Sequence, residues 1–140
     1  MDASARFQTN KLQLVFNRIV HNGGVLLFQD TSRSIFSLTD IQMYDYLPSN
    51  KDKLMNETMY GANGFFYRTE KIYKSILLWW VYCAIDVNCI APPNSTKSCP
   101  PVHRGQKFLF PVCHRQDQSA INILLANLFQ ITENLMFTHL

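Results

Sequence analysis

Long stretches of one character are missing from this sequence. No run of Lys and Arg gathers its 13 basic side chains; they are spread among 10 acidic ones over 140 residues, for a net charge of +3. Without such a run there is no electrostatic footprint for a phosphate backbone, and nucleic acid is set aside as a partner. The longest apolar run, Ile76 to Ile85 (ILLWWVYCAI), is about half of the ~20 residues that a membrane-spanning helix needs, so it reads as a core helix. The first residues, MDASARFQTN, lack the charged head and apolar segment of a signal peptide. No internal repeat or linker divides the chain, and four cysteines in 140 residues are too sparse to be the main staple of a small disulfide domain.

What is present is enough apolar material for one core. With 47% hydrophobic and 16% charged residues, residues 1–140 read as a single globular domain or a piece of one. The cysteines, Cys83, Cys89, Cys99 and Cys113, fall within 31 residues. Two glycosylation sequons stand at Asn56-Glu57-Thr58 and Asn94-Ser95-Thr96. Both traits point to the secretory pathway, although sequons also arise by chance and free buried cysteine is ordinary in the cytosol. Four cysteines allow three pairings. A Cys89–Cys99 bridge would close the proline-rich loop APPNSTKSCPP, and Cys83 is then expected beside Cys113. A lumenal chain without a leader is expected to be a fragment or a truncated product.

Hydrophobic periodicity places the elements. Residues 10–21 put Leu12, Val15, Phe16, Ile19 and Val20 on one helical face, with Thr9 or Asn10 as N-cap and Asn22-Gly23-Gly24 as the stop. Residues 25–29 (VLLFQ) suit a short buried strand, and Phe65-Phe66-Tyr67 after the small-residue turn GANG suits another. A short helix is expected over Asp40–Leu47, ending at Pro48. A longer one runs from Glu70 to Ala84 with Ile72, Tyr73, Ile76, Leu77, Trp80, Val81 and Ala84 inward. The last begins near Ser119 and buries Ile121, Leu124, Leu125, Leu128 and Phe129. Helices alternating with short strands predict an α/β layer structure.

One segment carries more polarity than its structure needs. In CHRQDQSAINILLANLF, residues 113–129, a Cys, a His, an Arg, an Asp and a Gln crowd the mouth of an apolar helix. Asp117 or Ser119 would serve as an N-cap, worth ~1 kcal/mol, but a cap takes one polar residue. The surplus asks for a ligand.

These residues also carry a resemblance. DQSAINILLANLF is similar to the Asp-Gln motif that opens a helix in glycosyltransferases of the GT-A superfamily, and the whole CHRQDQS run resembles glycosyltransferase-like families of animals and plants. MDASARF resembles the end of the central strand that binds metal and sugar nucleotide there. GANGFF resembles the turn lining the donor-sugar pocket, and WWVYCAIDVNCIAP the helix after that turn. The resemblance implies a partial nucleotide-diphospho-sugar transferase (GT-A-like) fold lacking its N-terminal nucleotide-binding half.

It also implies roles. Asp117 and Gln118 would meet the donor sugar, a carboxylate accepting from a hydroxyl and stabilising positive charge at the anomeric carbon. Asn63 would hydrogen-bond the sugar, unless it is simply a turn residue at positive φ. His114 would reach the pyrophosphate or the metal, and Arg115 the leaving diphosphate. Asp2 and Ser4 would hold Mn or Mg with the nucleotide sugar. Ser4 stands where many relatives have a second Asp, which makes a weaker site for a hard cation. The expected activity is transfer from a nucleotide-sugar donor to a glycan or protein acceptor in the Golgi or secretory-pathway lumen, weak or absent in this chain alone. The alternative is a non-catalytic secretory-pathway binding module that kept the fold.

Overall fold

The computed structural model describes residues 10–101 and 110–129. Asp2 and Ser4, the expected metal ligands, lie outside the described residues, as does Thr9. Helix α1 (Gln13–His21) starts three residues later than its periodicity suggests and has no side-chain cap. Its end is as expected: Gly23 and Gly24 take φ of +70° and +98°, and the Gly24 N–H returns to the Ile19 carbonyl at 2.8 Å. Of its apolar face only Ile19 is buried; Phe16 and Val20 are exposed.

Four short strands occupy two expected segments and two unexpected ones. β1 (Val25–Leu27) and β4 (Gly64–Phe66) pair antiparallel, and so do β2 (Asp30–Ser34) and β3 (Thr58–Tyr60). Residues 25–34 thus run against 58–66, with the ladder interrupted between Leu27↔Gly64 and Asp30↔Tyr60. At the interruption Phe28 N–H donates to Asn63 O (3.0 Å) and Gly61 N–H to Gln29 O (2.9 Å), while Gln29 itself takes φ +68°. Such irregularities bend a ribbon and re-aim its side chains. Gly64 is required there: a Cβ on it would stand 2.7 Å from the Leu26 carbonyl oxygen. The architecture is therefore mixed α/β with two small antiparallel sheets.

The helices pack around α7 (Asp117–Phe129). Two single-turn helices, α2 (Met43–Tyr46) and α3 (Lys51–Leu54), precede β3. Then α4 (Glu70–Ile72), capped by the Thr69 side chain, passes through a π-turn (Tyr73–Leu77) into α5 (Leu78–Ile85). The extra residue per turn in the π segment rotates α5 relative to α4. Ile72 and Ile76 point inward as expected, but Cys83 is the buried residue of α5, and Tyr73, Val81 and Ala84 are exposed. α7 departs from the amphipathic expectation in the other direction. Every residue from Gln118 to Ala126 is buried, so it is a central helix enclosed on all sides.

Both disulfides differ from the expected pairing. Cys83 bonds Cys89, with Cα atoms 5.2 Å apart, and Cys99 bonds Cys113, with Cα atoms 5.0 Å apart. The reason lies at Asp86, whose carboxylate accepts the Asn88 N–H (2.9 Å) and caps α6 (Val87–Ile90). This sharp turn folds α6 back on the end of α5 and places Cys89 against Cys83. The proline-rich loop is not closed on itself. It is tied to the body at Gln42 Nε2–Pro93 O (3.0 Å), His114 N–Thr96 O (2.7 Å) and Arg33 Nη2–Pro100 O (3.0 Å), which carries Cys99 to Cys113. Two disulfides fit an oxidising, secreted or lumenal environment. Among the described residues no helix is long and apolar enough to cross a membrane. Both sequon asparagines, Asn56 and Asn94, are exposed.

Candidate functional site

The interruption of the strand ladder opens onto a cleft. A cavity of about 460 Å³ lies there, bordered by Gln29 and Thr31 at the start of β2, by Gly61, Ala62 and Asn63, by Trp80 of α5, and by Arg115, Asp117 and Gln118. A second recess of about 240 Å³ continues from it, sharing Arg115, Asp117 and Gln118 and adding Lys97, His114 and Gln116. Four expected site residues, Asn63, Arg115, Asp117 and Gln118, therefore meet at one opening. Asn63 is not among the residues with positive φ; that conformation belongs to Gln29 across the break and to Gln116 (φ +47°) in the recess. Left-handed backbone on a non-glycine residue costs energy, of order 1 kcal/mol or more, and tends to cluster at ligand sites.

The mouth of α7 is held by contacts that leave Asp117 unspent. Ser119 ties the mouth of α7 to the body: its Oγ accepts from the Arg115 N–H, just before the helix (3.2 Å), and donates to Leu38 O (2.7 Å). The Trp80 indole N–H donates to the Asp117 backbone carbonyl at 3.1 Å, fixing the position of that residue from outside the helix. Among the described residues the Asp117 carboxylate makes no hydrogen bond or ion pair, and the side chain is exposed toward both cavities. It is not a helix cap.

Gln118 is more committed. Its Nε2 donates to Tyr60 O (3.1 Å) and its Oε1 accepts from Arg115 Nε (3.4 Å), leaving one N–H and one lone pair for a ligand. Arg115 is exposed, and its position is set by that same contact.

His114 departs from the role expected for it. Its side chain is 1% exposed, with Nδ1 accepting the Asp40 N–H (3.1 Å) and Nε2 3.0 Å from Ile90 O. An acceptor at Nδ1 requires the neutral ring with its proton on Nε2, so both nitrogens are used inside the protein and neither is offered to a pyrophosphate or a metal. Burial lowers its pKa from the ordinary 6.5, outweighing the opposing effects of the Ile90 carbonyl and the Asp40 carboxylate. A pKa below that of the unfolded chain means that the folded state binds fewer protons. The stabilisation is complete above about pH 6.5 and is lost as pH falls through the depressed folded value. The melting temperature of the wild-type protein is expected to fall as pH drops from about 7 to about 5, a range in which most carboxylates have not yet titrated. His114→Gln should flatten that slope; an unchanged slope in the variant would assign it to other groups.

Sequence reading missed Asn122, which builds the wall behind the site. It is fully buried in the middle of α7, accepting the Tyr60 N–H at Oδ1 (2.9 Å) and donating from Nδ2 to Tyr60 O and Gln118 O (both 2.8 Å). Its amide thereby takes the place of a neighbouring strand for the last residue of β3, just before Gly61-Ala62-Asn63. The only sequence signal was a polar residue on the apolar face of a helix, one turn after Gln118.

Asp117 and Arg115 are the charged residues that border the cleft among the described residues. No group of three or more His, Cys, Asp or Glu able to hold a metal ion is found among them. Comparison with protein-family models, with curated proteins and with solved structures found no match for this chain.

Proposed function

We propose that the cleft is the donor-sugar end of a glycosyl-transfer site of GT-A type, acting on a nucleotide sugar in the Golgi or secretory-pathway lumen. The observation that carries this reading is the unspent carboxylate of Asp117, set at the mouth of a central helix and facing a polar cleft shared with Asn63, Gln118 and Arg115. An unpaired carboxylate beside amides suits a polyhydroxylated ligand: it accepts from hydroxyls, while the amides donate and accept. A glycan or protein with a free hydroxyl is the acceptor in this reading. Mn or Mg, if it takes part, would neutralise the diphosphate; the described residues near the cleft supply one carboxylate for it, Asp117, which suits a ligand hydroxyl better than a cation needing several oxygens.

A binding module that kept the cleft without the chemistry is the second reading, favoured by His114, whose ring is committed to Asp40 and Ile90. One assay separates the two. Hydrolysis of a panel of nucleotide sugars, with and without Mn or Mg, should be slow with the wild-type chain and fall a further ~100-fold or more with Asp117→Asn, because the charge acts mainly in the transition state. Binding without any turnover supports the module. Turnover at equal rates in both proteins rules out a catalytic Asp117.

A further inference from the structure

A third cavity lies toward the other end of α7 and has a different character. It measures about 400 Å³ and is bordered by Tyr46 at the end of α2 with Leu47 and Pro48 after it, by Lys74 and Ser75 of the π-turn, by Trp79 of α5, and by Leu124, Asn127 and Leu128 of α7. Its volume falls in the range of small-ligand sites. Trp79 and Trp80 are neighbours on one helix and border different cavities, Trp80 the cleft of Asp117 and Trp79 this groove. The π-turn ends two residues before Trp79, and π-turns inside helices recur at functional positions.

Two large aromatic rings remain open to solvent here, Trp79 at 51% and Tyr46 at 40% exposure. Beside them, polar groups are left unused. The Asn127 amide is held in place through Nδ2, which donates to Pro48 O at 3.1 Å. Among the described residues neither its Oδ1 nor the Ser75 hydroxyl has a hydrogen-bond partner, and Lys74 holds only the exposed Glu70 (2.7 Å). Aromatic faces carry negative charge density and attract polarised C–H groups. A free hydroxyl and a held amide at the edge of those faces select a partner that is apolar on its flat side and hydroxylated around its rim. A peptide helix would ask for a continuous apolar groove, whereas here Ser75, Lys74 and Asn127 interrupt the leucines, and a phosphate would ask for uncommitted cations. Neither fits as well.

From these observations we infer that the groove between α2, the π-turn and α7 binds an oligosaccharide, with a pyranose ring stacked on Trp79 and its hydroxyls met by Ser75 and Asn127. The site is separate from the cleft of Asp117, and its occupancy does not depend on any chemistry there.

The chain has two tryptophans, so the two indole N–H signals of a ¹⁵N-labelled sample report the two cavities separately. Titration with an N-acetylglucosamine trimer, N-acetyllactosamine and maltotriose should move the Trp79 signal for at least one of them, with an affinity in the millimolar range, about that of a few stacking and hydrogen-bond contacts. Trp79→Leu, which keeps apolar bulk but removes the aromatic face, should weaken that binding tenfold or more without changing the melting temperature, and Trp79→Tyr should restore part of it. Asp117→Asn should leave it untouched. A Trp79 signal that stays fixed with all three sugars overturns the inference, as does a Trp79→Leu protein that binds as the wild type does.

Discussion

Asn122→Ala is expected to destabilise the protein by about 3–5 kcal/mol, lowering its melting temperature by on the order of 10 °C. The side chain is 0% exposed and makes three hydrogen bonds, two of them to the backbone of Tyr60. Alanine would leave the Tyr60 N–H without the acceptor it has in the fold, and a buried donor so stranded costs about 1–3 kcal/mol. The Tyr60 carbonyl would keep Gln118 Nε2 as a donor, so that side of the loss is smaller. Removal of the amide from a fully enclosed helix adds a cavity cost. Asn122→Asp should be no better, because it keeps an acceptor for Tyr60 N–H but replaces two donations with a buried charge. Urea or thermal denaturation checks this. A variant melting within about 2 °C of the wild type would show that Tyr60 finds other partners and that Asn122 is not what holds β3 to α7.

The part of the fold legible in the sequence is the part set by local patterning. The glycine pair after α1, the apolar run Val25–Leu27, Gly64–Phe66 and the start of α7 were each marked by residues whose conformational preference agrees with their place in the fold. β2 (DTSRS) was not legible: it is polar and only partly buried, and its strand character comes from pairing with β3 rather than from its own pattern. The faces of α1 and α5 were misread for opposite reasons. In α1 the apolar residues are present but, apart from Ile19, not enclosed; in α5 the π-turn shifts the phase on which an α-helical reading depends. The disulfides turned on the Asp86 cap, a local turn whose effect on Cys83 and Cys89 emerges only in three dimensions.

The site was legible to a similar degree. An excess of polar residues in CHRQDQS over what a cap requires located the mouth of α7, and Asn63, Arg115, Asp117 and Gln118 do border one cleft. Their division of labour was not legible. Ser119 ties the helix mouth to Leu38, Gln118 braces Tyr60 and Arg115, and His114 joins Asp40 to Ile90, because hydrogen-bond partners distant in sequence decide which polar groups are spent. That leaves Asp117 as the charged residue of this segment whose carboxylate has no hydrogen-bond or ion-pair partner among the described residues, its share in the fold being its charge in the first turn of α7. Its loss should therefore be felt far more by a ligand than by the fold, which is the largest functional effect expected here.

The measurement that tests this most directly is a nucleotide-sugar titration of the wild-type chain and Asp117→Asn, read at the Trp80 indole N–H, whose hydrogen bond to the Asp117 carbonyl places it on the cleft. Asparagine keeps an acceptor oxygen at that place and loses only the share of the hydrogen bond that comes from the charge, about 1 kcal/mol, so the variant should bind roughly 3- to 10-fold more weakly. Its melting temperature should fall by no more than a few degrees, since the fold loses only the attraction of the carboxylate to the N-terminus of α7, about 0.3–1 kcal/mol. At least one nucleotide sugar is expected to move the Trp80 signal of the wild type while the Trp79 signal stays fixed, and Asp117→Asn to shift the midpoint by that factor. A Trp80 signal unmoved by every nucleotide sugar tried, or an equal midpoint in the two proteins, would contradict the sugar-binding role of Asp117.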